Sequence, residues 1–389
     1  MSKIEELIQQ YCPEGVEYVK VGDLAQVGTG SSNGNEAEEN GEYPFFVRSQ
    51  TIKRKNDYEY DEEAIIIPGE GGIGDIFHYI NGKYALHQRV YRIHFTSDKV
   101  NVRFAYFYMM SSFKDFIMMK AVNATVTSIR KPMIEGFEIP LAPLPVQEEI
   151  VRILNTFSEL QAELQAELQA RQLQYQYYRD QLFAFDGRTD IKWKKLGDVA
   201  DIKTGRRFVR TDIKESGVPC FHYGDLYTYY GITTTKTKGY LDAELASKLR
   251  FAQPNDVVVV CAGENDMDLG IGVAWLGDEP AVVHDACCIL HHEQNPRYIS
   301  HFLRTHKYHL QMKRYAKTGK ISSLSSTSLG EAIIPIPSLE EQERIASILD
   351  KFDALVRDLS QGLPAEIEAR KQQYEYYRDK LLTFKRKEV

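Results

Sequence analysis

Apolar residues in the middle of the chain recur in steps of three and four: Ile150, Ile153, Leu154, Phe157, Leu160, Leu164, Leu168 and Leu173. That spacing lines one face of an α-helix. A stretch near the end repeats it with Ile345, Ile348, Leu349, Phe352, Leu355, Leu359, Ile367, Tyr374, Tyr377 and Leu381. Each covers about 40 residues, roughly 60 Å if wholly helical. Neither stripe can stay in water. Each can pack on its own globular domain or on another helix, and the partner of equal length is the other stripe. The pattern therefore predicts two long helices forming an antiparallel coiled coil. Short apolar runs at Ile65–Ile67 and Val257–Val260 read as buried strands.

The two helical stretches are copies. ARQLQYQYYRDQLFAF over 170–185 returns as ARKQQYEYYRDKLLTF over 369–384. Pro145-Val146-Gln147-Glu148-Glu149-Ile150 likewise has a partner around Gln342. The second copy is longer by four residues, about one helical turn. It carries Gly362-Leu363-Pro364 near that point, which should break or kink the helix. Weaker matches precede each helix: Val21-Gly22-Asp23-Leu24-Ala25 resembles Leu196-Gly197-Asp198-Val199-Ala200, and Gly30 matches Gly205. Between these anchors the halves diverge. The boundaries fall at 1–142 for a first variable domain with an N-terminal helix, 143–188 for the central helix, 189–337 for a second variable domain and 338–389 for the last helix. Both variable domains read as mixed α/β (α+β) modules, and the internal repeat implies a pseudo-twofold molecule.

At 389 residues and net charge −7, the chain is too long for one domain and lacks a uniform basic coat. A local basic face remains compatible with that charge. No apolar run nears the length of a membrane span, the start MSKIEELIQQY is not a signal peptide, and five cysteines without a CxxC pair suit a reducing cytoplasm.

Candidate contact residues sit on strand ends and in basic, hydroxyl-rich turns. In the first half they are Arg48, Gln50, Lys53, Arg54, Gln88, Arg89, Thr125, Thr127, Ser128 and Arg130. In the second they are Arg206, Arg207, His222, Asp225, Arg314, Lys317, Lys320, Ser322 and Ser323. Arg and Gln match guanine and adenine edges, and hydroxyls beside Lys and Arg suit phosphate. Taken alone, each cluster reads as a solvated surface before it reads as a contact site. Gly69-Glu70-Gly71-Gly72-Ile73-Gly74 is a strand-to-strand turn, since no Gly-Lys-Ser/Thr closes it. His301, His306 and His309 lack metal spacing and read as the surface of a helix. No methyltransferase Asn-Pro-Pro-aromatic run, Walker lysine or nuclease motif is present, so the chain is expected to be non-catalytic.

A variable half, a Pro-Leu-Pro-x-Gln-Glu-Glu-Ile helix with Tyr-Tyr-Arg-Asp, then the same again: this resembles the DNA-specificity subunit of type I restriction–modification enzymes. The resemblance covers nearly the whole chain. The two Gln-Ala-Glu-Leu units at 161–168, with Leu160, Leu164 and Leu168 on the spacer helix, resemble the subfamily called type IC. The family implies two target-recognition domains, each reading half of a split, asymmetric double-stranded DNA site. It implies two methyltransferase subunits and two restriction subunits as partners. S-adenosylmethionine, ATP and Mg²⁺ would belong to those partners, with no cofactor on this chain. Tyr177, Tyr178, Arg179 and Asp180, with Tyr376, Tyr377, Arg378 and Asp379, are expected at a subunit interface or in helix packing. The competing class is a helical-hairpin scaffold that binds proteins and no DNA.

Overall fold

A computed structural model describes residues 3–120, 128–263, 269–317, 322–358 and 360–388. The chain divides into two compact units, Met1–Ala162 with Ala369–Val389, and Glu163–Glu368. Each unit therefore holds one variable domain, the helical half that leaves it, and the returning half of the other helical stretch.

The first unit is built on a six-stranded sheet. Its order is Ala25–Thr29, Val90–Phe95, Tyr60–Pro68, His78–Leu86, Tyr43–Phe46 and Lys53–Lys55. Ile65, Ile66 and Ile67 are all fully buried. They can be, because side chains alternate across a strand and both faces are covered. Ile65 and Ile67 pack with Phe113 and Ile117 of the helix Val102–Lys120, while Ile66 packs with Phe46 and Tyr84. Each such isoleucine is worth about 1.5–3 kcal/mol of burial.

The second unit repeats the plan with one interruption. A five-stranded sheet runs Ala200–Thr204, Cys287–His292, Val257–Val260, Gly272–Trp275 and Thr233–Thr234. A four-stranded sheet runs Gly239–Leu241, Val218–Phe221, Ala281–Val283 and Phe251–Ala252. The single strand His78–Leu86 of the first unit corresponds here to two, Gly272–Trp275 and Ala281–Val283. Between them lies Leu276-Gly277-Asp278-Glu279-Pro280, whose proline cannot donate to a ladder. Val257 and Val259 face one cluster, Val258 and Val260 another.

The central helix spans Leu144–Leu182. The second stretch is two helices, Leu339–Arg357 and Leu363–Leu382. The break falls where Gly362 and Pro364 predict it. A side chain on Gly362 would collide with the carbonyl oxygens of Ala354, Leu355 and Asp358. The Asp358 carboxylate accepts from the backbone N–H of Ser360 at 2.7 Å, closing the turn.

Helix pairing is antiparallel within each unit. In the first, Leu381 and Leu382 join Val146, Ile150 and Leu154, whereas Phe157 meets Tyr374 and Tyr377. In the second, Tyr175 meets Phe352, whereas Leu168 and Gln172 share a concavity with Val356 and Pro364.

The contact stripe differs from the expected one in detail. Leu160 is 41% exposed and Leu173 67% exposed. Among the covered positions, Ile150, Leu154, Phe157, Gln161, Leu164, Leu168, Arg171 and Tyr175 form one continuous stripe. Steps alternating four and three give the 3.5-residue repeat of a coiled coil. Leu173 lies off that repeat, and a search for aliphatic side chains passes over Tyr175.

Candidate nucleic-acid interface

In the first unit, Gly69 follows strand Tyr60–Pro68, and the turn His87–Arg89 joins the two strands that flank it, His78–Leu86 and Val90–Phe95. The backbone N–H of Ile129 donates to the Gly69 carbonyl at 2.8 Å and brings in Ser128–Arg130. Together they line a concavity of about 320 Å³ formed by Gly69, Glu70, Gln88, Arg89, Tyr91, Ser128, Ile129 and Arg130. Glu70 accepts from Arg48 at 2.9 Å and from Arg89 at 2.9 and 3.2 Å. These bonds, Arg89 first, hold its carboxyl below the usual carboxylate range. Gln88 Nε2 donates to Asn33 Oδ1 at 2.7 Å. Gln88, Arg89, Ser128 and Arg130 thus line one concavity, with Arg48 joined to it through Glu70.

Gln50 is exposed on the loop after strand Tyr43–Phe46. Lys53 and Arg54 lie on the edge strand. Arg54 donates to the carbonyls of Gly41 and Glu42 at 2.8 and 2.6 Å, so it fastens its own hairpin. Lys53 reaches the Gly34 carbonyl at 3.4 Å. Thr125, Thr127 and Lys320 lie outside the described residues.

In the second unit a concavity of about 360 Å³ is lined by Arg207, Phe208, Val209, Arg210, His222, Tyr223, Ala262, Gly263, His284, Asp285 and Ala286. Its floor is aromatic. His222 lies 4.6 Å from Tyr223 and 4.9 Å from His284, and Phe208 meets His284 edge-on at 5.1 Å. Burial pushes both imidazoles toward the neutral form. Ser322 and Ser323 pair with Gly263 and Ala262, so their strand backs the Ala262–Gly263 edge of the concavity without lining it. Lys317 exchanges two backbone bonds of 3.0 Å with Ser323.

Several expected contact residues are committed elsewhere. Ser322 is only 3% exposed, so its hydroxyl is not offered to a phosphate. Arg206 donates to the Lys248 carbonyl at 2.8 Å. Asp225 pairs with Lys238 at 3.2 Å, away from the concavity. Arg314 is exposed at the end of the helix His306–Lys313. His301 is no surface residue. It is fully buried and 2.8 Å from Asp350, because its helix packs against Leu339–Arg357. His309 is half-buried, and burial lowers its pKa to about 4. Among the described residues no cluster of His, Cys, Asp or Glu could hold a metal.

The two concavities are one backbone site with different side chains. Gly69 N–H donates to the Arg89 carbonyl at 2.9 Å, and Cys261 N–H to the Ala286 carbonyl at 2.8 Å. Ile129 N–H donates to Gly69, and Leu324 N–H to Cys261, both at 2.8 Å. Gly30 and Gly205 flank the same turn. A Cβ on Gly30 would fall onto the Leu86 carbonyl, and one on Gly205 onto those of Val283 and His284. No other residue fits so close an approach. Within this shared frame one concavity offers Gln88, Arg89, Glu70 and Arg130, the other Arg207, Arg210, His222 and Asp285.

The sequence profile described as type I restriction modification DNA specificity domain matches residues 13–171 and again 189–369. The chain belongs to that family. It is a specificity subunit, not a catalytic one. A specificity subunit of Haemophilus influenzae is 29% identical over 367 residues, covering 88% of this chain and 89% of that one. One of Escherichia coli is 34% identical over 257 residues, covering 64% and 62%. The crystal structure of an S subunit from M. genitalium shares the fold with TM-score 0.54 at 16% identity, over 95% and 96% of the chains. A chain from a structure on complex assembly of a type I system has TM-score 0.63 at 14% identity, over 95% and 98%.

In this specificity subunit the duplicated Tyr-Tyr-Arg-Asp blocks have a shared half and a divergent half. Tyr178 stacks on Phe352 and Tyr377 on Phe157, each at 5.5 Å. Tyr177 and Tyr376 are 60% and 62% exposed. Arg179 is buried over the Tyr175 ring, and Asp180 accepts from the backbone N–H of His306 at 2.9 Å. Arg378 lies farther from the equivalent Tyr374 ring, at 6.0 Å, and pairs with Asp379 at 2.7 Å.

The duplicated glutamine carries a role that sequence reading left open. Gln147 and Gln342 are both fully buried. Gln147 donates to the Lys99 carbonyl and accepts from Asn101 N–H. Gln342 donates to the Pro337 carbonyl and accepts from Asn295 N–H. Each amide ties the start of a helix to its own domain. The signal was the repeat itself: a polar residue kept inside an apolar stripe.

Proposed function

We propose that this chain reads a bipartite, asymmetric DNA site and positions methyltransferase and restriction subunits on it. The domain within 1–142 reads one half-site and that within 189–337 the other. The observation that carries this reading is the pair of concavities with one backbone frame and two side-chain sets. A shared frame approaches a duplex in the same way twice. Different side chains then select different bases.

Adenine methylation supports the need for such a reader. The base must be extruded into a partner's pocket, so position and orientation must be fixed first. Two half-sites also multiply specificity, since each mismatch costs about 1–3 kcal/mol. The exposed Tyr177 and Tyr376, equivalent in the two units, suit a repeated docking face for two methyltransferase subunits, aromatic residues being favoured at hot spots. Two restriction subunits, with ATP and Mg²⁺, complete the complex in the cytoplasm, and S-adenosylmethionine belongs to the methyltransferase.

The test is reconstitution with the cognate methyltransferase subunit. Binding to duplex DNA should weaken linearly in log–log terms as salt rises. Sequencing of the methylated product should return a split motif with a fixed spacer. An assembled complex that binds no DNA, or that methylates a continuous motif, overturns the reading.

A further inference from the structure

We propose that His87 and His284 are positioning residues for base reading, each imidazole holding the turn that presents its unit's read-out side chains. The inference rests on the concavities being the DNA-reading sites.

His87 Nδ1 accepts from the backbone N–H of Arg89 at 3.0 Å. His284 Nδ1 accepts from that of Ala286 at 3.1 Å. His87 N–H donates to Phe46 and His284 N–H to Phe221, at 3.0 and 3.1 Å. The carbonyls of the two histidines accept from Val90 and Cys287 at 2.9 and 3.0 Å. Three bonds thus recur in one geometry, while the residues they frame change from Gln88-Arg89 to Asp285-Ala286. A kept residue inside a changed loop points to a role that does not depend on the target.

Histidine suits this role for two reasons. A side-chain acceptor facing the N–H two residues on fixes a turn, as asparagine does. The ring also fills space: His87 is only 6% exposed, and His284 sits against Phe208, His222 and Tyr223. Accepting at Nδ1 requires the neutral imidazole. Burial favours that form for both residues. Asp285 stands 3.1 Å from His284 Nδ1 and pulls the other way. Burial outweighs it, and Asp285 stays partly exposed on the lining of the concavity.

The test uses the full complex with methyltransferase subunits. Methylation rates are compared on the cognate site and on oligonucleotides with one mismatch in either half. His87→Phe keeps an aromatic ring and removes the acceptor. His87→Asn keeps an acceptor and loses ring volume. His87→Phe should lower discrimination by roughly five- to tenfold, the value of one lost hydrogen bond, in one half-site only. His284→Phe should do so in the other half only. Asn should restore most of the loss at each position even where it lowers the melting temperature. Unchanged discrimination in the Phe variants, equal loss in both halves, or Asn variants no better than Phe would each overturn the positioning role. A Gln88→Ala, Arg89→Ala variant separates the two levels. If it too leaves both half-sites unchanged, base reading by the concavity fails. If it alters one half while His87→Phe does not, only the positioning role fails.

Discussion

Tyr377 stacks on Phe157 with ring centroids 5.5 Å apart and planes 22° apart. The equivalent pair of the other unit, Tyr178 and Phe352, repeats the distance at 27°. The same ring pair thus closes the helices in both units. An aromatic pair adds about 0.5–1.5 kcal/mol beyond burial. A double-mutant cycle on Phe157→Leu and Tyr377→Leu should therefore return a coupling of about 1 kcal/mol by urea unfolding, and the cycle on Phe352 and Tyr178 a similar value. Coupling near zero in both would remove the stack as a helix-pairing element.

The buried glutamines set a sharper stability test. Gln147→Leu strands the Asn101 N–H and the buried Ala142 carbonyl without partners. Stranded buried groups cost about 1–3 kcal/mol each, so a loss of roughly 2–6 kcal/mol is expected. Hydrogen exchange should lose protection at Asn101 in this variant and at Asn295 in Gln342→Leu, each without effect on the other amide. Protection lost at both amides in either variant contradicts the local clamp.

Glu149 predicts the acid limb of stability. Its side chain is 5% exposed, 2.7 Å from Arg152 and 2.8 Å from Lys3. Hydrogen bonding to Arg152, then to Lys3, lowers its pKa to about 2. The folded pKa is depressed, so the stabilisation is fully present above the unfolded value of about 4.3. It is lost as pH falls through about 2. Glu149→Gln should flatten stability against pH in that window. An unchanged slope in unfolding curves between those limits would count against the pairing.

The repeat Gln161–Leu168 lies inside an uninterrupted helix, Leu144–Leu182. One further Gln-Ala-Glu-Leu after Leu168 lengthens it by about 6 Å and turns the distal part of the helix by about 40°. A base pair adds about 3.4 Å and about 34° at about 10.5 base pairs per turn. Rotation decides, because a reader facing the wrong groove edge forfeits its contacts, whereas small length errors are absorbed by bending. Methylation mapping should find both half-sites unchanged and the spacer longer by one base pair. An unchanged spacer removes the ruler.

The architecture was legible where physics repeats itself. The copied helices, the break at Gly362 and Pro364, and the buried runs at Ile65 and Val257 all come from periodicity and backbone chemistry. The site was legible only as residue types. Arg54 and Arg206 are cations by composition, yet their donors are spent on nearby carbonyls, which only tertiary contacts reveal. His301 reads as a surface residue in the sequence because its burial depends on Asp350 from a distant helix. The equivalence of His87 and His284 stays hidden there because loops of different length separate them from the anchors. Leu173 falls outside the covered stripe because the helix obeys a 3.5-residue repeat whose covered positions include Gln161, Arg171 and Tyr175.

Exchange of one domain tests the central claim most directly. Residues 20–142 are replaced by the corresponding segment of a family member with a different target, and the methylated sites are sequenced genome-wide. The account predicts that one half-site changes to that of the donor, while the other half and the spacer persist. Changed bases in both halves, or in neither, would contradict independent reading by two equivalent concavities.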